Sequence, residues 1–213
     1  MDEDRDRETR AEKDTDGLQN KRQNTGTQEN EYESPDDEPA QSDVMTEERA
    51  AQLRDTVSQS ITDSAKVLPI AKHKTEIITK LDRNRVVIIS GDTGCGKTTQ
   101  VPKYILESGL HRQQDVKIIC TQPRRLAAVN IARRVASELK ERVGGTVGFQ
   151  VGMQTKKTPG ITRITFMTTG IFLMRLVNNP DSLRSYTHLI MDEVHERDLD
   201  IDFSLVVVKH LLA

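Results

Sequence analysis

Two short clusters in this chain have the residue types and spacing of phosphate chemistry. The first is Gly91-Asp92-Thr93-Gly94-Cys95-Gly96-Lys97-Thr98, with Thr99 directly behind it. Glycines let successive backbone N–H groups turn inward, and a helix starting at the loop adds its positive end to their field. Such a nest cradles the phosphates of ATP. Lys97 neutralises the β- and γ-phosphates, and the Thr98 hydroxyl is a ligand for Mg²⁺. Cys95 is read as a small residue that fits the loop, against the alternative of a redox thiol. The second cluster, Asp192-Glu193-Val194-His195, follows the apolar run Leu189-Ile190-Met191. Acids at the carboxyl end of a parallel strand face the ligand crevice. Asp192 is placed to hold Mg²⁺ through its water shell. Glu193 joins it at the metal side, orienting and deprotonating an attacking water. Neighbouring strand residues point to opposite faces, so both acids reach one site only if the chain turns out after Asp192. Two acids and a histidine alone make an ordinary solvated strand end; the glycine loop about 95 residues upstream changes that reading.

These groups need a scaffold, and the chain supplies one by alternation. Val86–Ser90 has the pattern of a short buried strand leading into the glycine loop, and Lys97–Leu106 that of a helix leading out. Val116–Thr121 and Arg124–Lys140 repeat strand and helix, the helix with apolar positions three and four apart. Thr146–Val151 and Thr162–Met167 read as strands, Thr169–Asn178 as a helix, Thr187–Asp192 as a strand and Asp202–Leu212 as a helix. Strands separated by helices require crossover connections. The fold class is therefore α/β, a mostly parallel sheet with helices on both faces.

Charge divides the chain. Residues 1–64 hold 19 acidic and 8 basic side chains, a balance of −11; the remaining 14 acidic and 23 basic give +9. Residues 1 to about 42 carry almost no apolar side chains, too few to offset chain entropy, and are expected to be disordered. A short helix with Thr46 as N-cap fits residues 45–64, but its apolar face is thin. The organisation is an acidic region, 1–64, which offers itself to a protein partner, then a basic domain, 65–213. A basic surface suits a polyanion, although surplus lysines also serve solubility alone. Two cysteines form neither a disulfide framework nor a metal-ligand spacing. Met1-Asp2-Glu3-Asp4 is unlike a signal peptide, and no apolar run approaches the roughly 20 residues that cross a bilayer. These features point to a cytoplasmic or nuclear protein without a membrane partner.

Four segments together resemble motifs I, Ia, Ib and II of the DEAH/RNA-helicase-A family of DExH-box helicases: Gly91–Gln100, Thr121–Ala128, Met167–Gly170 and Asp192–Arg197. They stand in that order at similar spacing, and the resemblance runs from about Leu68 to Ala213. It implies the first of two RecA-like domains, with ATP hydrolysis coupled to movement along single-stranded RNA, less often DNA. Asp92, Cys95 and Val194 depart from the usual Glu, Ser and Ala. Val194, with Val147–Gly152, leans toward the Tudor-domain helicases of small-RNA silencing.

Pro123-Arg124-Arg125 opens a helix straight after a strand, where arginine forks suit phosphate oxygens. By resemblance, Arg124 and the helix start at Thr168, Thr169 and Gly170 hold the RNA backbone. Arg125 is either part of that grip or a salt-bridge partner of Glu138 or Asp115. Arg134 matches the family arginine that stacks on adenine; composition alone allows a solvated helix face. His195 would link hydrolysis to the second domain, whereas His73, His111, His188 and His210 read as structural or surface. Aromatic residues make up 3% of the chain, so no stacking platform is expected and backbone grip must dominate. No Ser-Ala-Thr element, second RecA-like domain or Gln-Arg-x-Gly-Arg finger is present. The expectation is the N-terminal, ATP-binding part of an ATP-dependent RNA helicase, nearly inactive alone. The alternative is a truncated, non-catalytic nucleotide- and RNA-binding module.

Overall fold

The computed structural model describes residues 45–212. The acidic stretch expected to be disordered lies outside them. A five-stranded sheet has the order β3-β2-β4-β1-β5, with β1 Ile118–Gln122, β2 Val147–Val151, β3 Gln154–Lys156, β4 Ile164–Thr168 and β5 His188–Met191. All ladders are parallel except that of β3, which returns antiparallel on β2. The register aligns Gln122 with Thr168 and Thr121 with Met191. The carboxyl ends of β4, β1 and β5 therefore finish side by side, as the placement of the acids requires.

Around the sheet lie α1 (Glu47–Ala65), α2 (Lys74–Arg83), α3 (Lys97–His111), α4 (Arg125–Glu138), α5 (Thr169–Asn178) and α6 (Leu199–Leu212). β1, β2 and β4 are buried along their whole length, as parallel strands covered on both faces are, even at polar positions such as Gln122, Gln150 and Thr165. Alternate residues of β1 serve opposite layers. Ile118 and Cys120 join α1, α3 and α4 in the larger core, while Ile119 packs with Met167, Phe172 and Leu176 on the side of α5 and α6. The α/β expectation holds.

Two local readings change. The helix near the start fills the expected stretch and is better anchored than a thin apolar face suggests. Leu53, Val57 and Ile61, four residues apart, are all buried, and α1 packs on α3. Burying such side chains contributes about 1.5–3 kcal/mol each. Thr46 stands at the N-cap position, but its side chain makes no capping hydrogen bond. The second change is a correction. Val86–Ser90 leads into the glycine loop, but it is not a strand. Val87 and Ile89 turn inward while Ile88 is 90% exposed. A strand exists through its ladder bonds, and this segment has none among the described residues; β5, which pairs only with β1, is the last strand of the sheet.

Candidate nucleotide site and nucleic-acid edge

The glycine loop is shaped by backbone conformations that side chains rarely tolerate. Gly94 and Gly96 have φ of 81° and 104°, in the left-handed region that only glycine adopts without cost. A Cβ on Gly96 would also press on Ile70 and Leu68 at 3.1 Å. Gly96 is the N-cap of α3, whose first residues are Lys97 and Thr98. The loop thus delivers a helix N-terminus and a lysine to the same place, which is what a phosphate needs. The Lys97 ammonium donates to the carbonyls of Gly91 (2.5 Å) and Asp92 (3.0 Å) and lies 3.6 Å from Cys95 Sγ. Its charge is held inside the loop.

The two sequence clusters meet. Thr98 Oγ1 donates to Asp192 Oδ2 across 94 residues of chain. A hydroxyl and a carboxylate side by side form a hard-oxygen pair of the kind that holds Mg²⁺ together with phosphate and water. Among the described residues no group of three or more His, Cys, Asp or Glu could hold a metal. The chain does turn after Asp192: Glu193 has φ 53°, its N–H donates back to Asp192 Oδ1 at 2.9 Å, and a 3-10 turn follows over Val194–Glu196. Glu193 thereby leaves the strand line and lies partly exposed. His195 is exposed, with Nδ1 3.4 Å from Glu193 Oε2. Arg197 closes the turn with a two-pronged pair to Asp202 at 2.8 and 3.0 Å.

The arginines separate. Arg124 donates to Glu196 at 3.2 Å while 76% of its side chain stays exposed. Neither carboxylate suggested for Arg125 pairs with it: Glu138 takes Lys103 and Arg134, and Asp115 takes Arg163. Arg125 instead lies over Gly152, where an added Cβ would approach its guanidinium at 3.1 Å. Arg134 is exposed and anchored at 3.1 Å to Glu138, which also accepts from Gln100 of the first turns of α3. At the start of α5, Thr169 is only 1% exposed, Thr168 is buried and Gly170 is partly open. Asp200 crowds that end, since a Cβ on Gly170 would lie 2.8 Å from its carboxylate.

Sequence reasoning missed Gln122, Glu196 and Lys103. Gln122 is buried and donates its amide to Asp192 Oδ2 at 2.7 Å. Its signal was available, because it ends the strand beside the acid-bearing one. Burial pushes the Cys120 thiol well up, and the Asp192 charge adds to the shift; this cysteine is inert packing.

A glycine loop, a helix N-terminus and an acid after a neighbouring strand define a P-loop nucleotide-binding domain. The chain belongs to the DEAD/DEAH box helicase family, whose domain profile matches residues 71–209. It is 49% identical over 146 residues to "Probable ATP-dependent RNA helicase spindle-E" of Culex quinquefasciatus, covering 68% of this chain and 10% of that protein. The namesake from Aedes aegypti is 47% identical with the same coverage. "DExH-box ATP-dependent RNA helicase DExH1" of Arabidopsis thaliana is 41% identical over 168 residues, 78% of this chain and 17% of that protein. The chain thus spans a small part of the length of these relatives. No helix among the described residues is long and apolar enough to cross a membrane.

Proposed function

We propose that this chain is the ATP-binding part of an ATP-dependent RNA helicase and works with a second RecA-like domain. The observation that carries the reading is the Thr98–Asp192 contact, which joins the phosphate loop to the acid pair at one point. Lys97 and the loop amides hold ATP phosphates, and Thr98 and Asp192 hold Mg²⁺, which supplies charge neutralisation at the phosphoryl oxygens when bound. Glu193 orients and deprotonates the water, with His195 beside it. Arg134 faces the base. Arg124, with the partly open backbone at Gly170, grips single-stranded RNA; Arg125 is less accessible for that role because it packs on Gly152. The domain division is an acidic N-terminal region followed by the ATP-binding unit, with α1, which packs on α3, on the side of that unit rather than within a 1–64 region. A protein partner for the acidic region, a nuclear or cytoplasmic setting and the kinship with Tudor-domain helicases belong to the same proposal.

Fluorescence titration with a labelled ADP and with a labelled single-stranded RNA tests it. Mg-ADP should bind, and RNA should bind with an affinity that falls steeply as salt rises, because phosphate contacts release counterions. A folded chain that binds neither overturns the reading.

A further inference from the structure

The geometry points to Gln122 as a positioning residue that fixes the Asp192 carboxylate for the metal, an inference that rests on the nucleotide-site reading above. Gln122 is the last residue of β1, 2% exposed. Thr121 is in register with Met191, so Gln122 sits level with Asp192, one step beyond the last paired residues of the two strands. An ionised carboxylate only accepts hydrogen bonds, so the amide nitrogen is the group that must face it. Asp192 Oδ2 receives both Gln122 Nε2, at 2.7 Å, and Thr98 Oγ1, while Oδ1 receives the Glu193 N–H at 2.9 Å. Three donors from three elements leave the carboxylate little rotational freedom. Of these, the Thr98 hydroxyl belongs to the metal site itself and the Glu193 N–H to the turn that carries the base. Among the described residues, Gln122 is the side chain outside the metal set that holds the acid from the sheet.

The location adds a second aspect. Gln122 is also in register with Thr168 on β4, and it lies two residues before Arg124. The strand end that orients Asp192 is therefore shared with the two segments assigned to RNA contact. A displacement of β1's end by a bound strand would reach Asp192 through one side chain.

Two variants test the assignment, each read by the Mg²⁺ concentration at half-maximal binding of a fluorescent ADP and by metal-free ADP affinity. Gln122→Met keeps the length and most of the volume but removes the donor. It should raise the Mg²⁺ midpoint about tenfold, as loss of a group that orients a metal ligand typically does, with metal-free affinity within about twofold of wild type. Gln122→Leu, which also lacks the donor, should raise the midpoint to a similar extent. A role in packing alone would lower the melting temperature and leave the midpoint unmoved. The inference fails if the folded Met or Leu variant keeps the wild-type midpoint. Absence of Mg²⁺-dependent binding in the wild type overturns the nucleotide-site reading instead.

Discussion

Helix α3 carries polar side chains at two levels and treats them in opposite ways. At its start, Lys97 and Thr98 are partly exposed and point into the loop and toward Asp192. Less than two turns on, Lys103 has no exposed surface and is held by Ser60 of α1 at 2.9 Å and Glu138 of α4 at 2.7 Å. Glu107, further along, takes Ser58 at 2.8 Å and an ion pair with Lys74. The first level keeps charge where a ligand can reach it. The second consumes charge internally, tying α1, α3 and α4 into one body. Charge that is satisfied inside the fold governs stability, and charge left at a crevice governs binding. The two should separate in experiment.

The largest effect should come from the inner level. Breaking a buried pair strands the remaining charge, which costs about 3–5 kcal/mol. Glu138 keeps some exposure, so Glu138→Gln should cost about 3 kcal/mol, or roughly 6–12 °C in melting temperature for a domain of this size. Mg-ADP should still bind to the folded fraction. A melting temperature unchanged by the substitution would mean that Lys103 finds another partner.

Next in size is the outer level. Lys97→Ala removes a charged hydrogen-bond donor to phosphate, worth about 1.5–3 kcal/mol, so Mg-ADP affinity should fall about 10- to 100-fold. Melting of the free protein should hardly move. If it fell as far as in Glu138→Gln, the division between binding and stability would not stand.

Acid provides a smaller and continuous test. Burial alone would raise the Glu138 carboxyl. The hydrogen bond and charge of Lys103, with help from Arg134 and Gln100, outweigh it and hold the group below the ordinary value of 4.5. Burial pushes Lys103 down, and Glu138 restores part of that. For a carboxylate lowered by folding, the stabilisation is complete above its unfolded value and disappears as pH falls through its folded value. Melting temperature should therefore drop below about pH 4.5, and Glu138→Gln should flatten part of that drop. The exposed pairs Asp202–Arg197 and Asp82–Arg112 leave a residual slope, since both acids are also held low by their arginines.

The outer level was legible in the sequence and the inner level was not. The glycine loop and the strand-end acids were paired on sequence because such groups have few other uses, and Thr98 and Asp192 do meet. The α/β alternation set the sheet, and Thr169–Asn178 was bounded to the residue. What failed were properties that local pattern does not carry. Val86–Ser90 has strand composition, but pairing depends on a neighbour elsewhere in the fold. The face of α1 looked thin because Leu53, Val57 and Ile61 are few, yet each finds a site on the core. Lys103 inside a helix looks like any solvated lysine until Glu138, 35 residues away, is known to face it.

The smallest effect concerns Arg124 at the edge proposed to meet RNA. Arg124 and Glu196 pair at 3.2 Å with the arginine largely in solvent. Exposed pairs of this kind contribute about 0.2–1 kcal/mol and are screened by salt. Such a contact is weak enough to be exchanged for an RNA phosphate, a stronger partner for a guanidinium fork. Glu196→Gln removes the competitor, so single-stranded RNA should bind about two- to fivefold tighter at low salt, the gain matching the energy of one exposed pair. The difference should vanish as salt rises. Arg124→Ala should weaken binding and reduce the slope of log affinity against log salt by about 0.7, the share of one phosphate contact on a single strand. Neither change should move the melting temperature, because neither group is held by the core. Unchanged slope in Arg124→Ala would remove this arginine from the RNA grip. In that case the ion pair with Glu196 would be its whole role, a brace for the turn that carries Glu193.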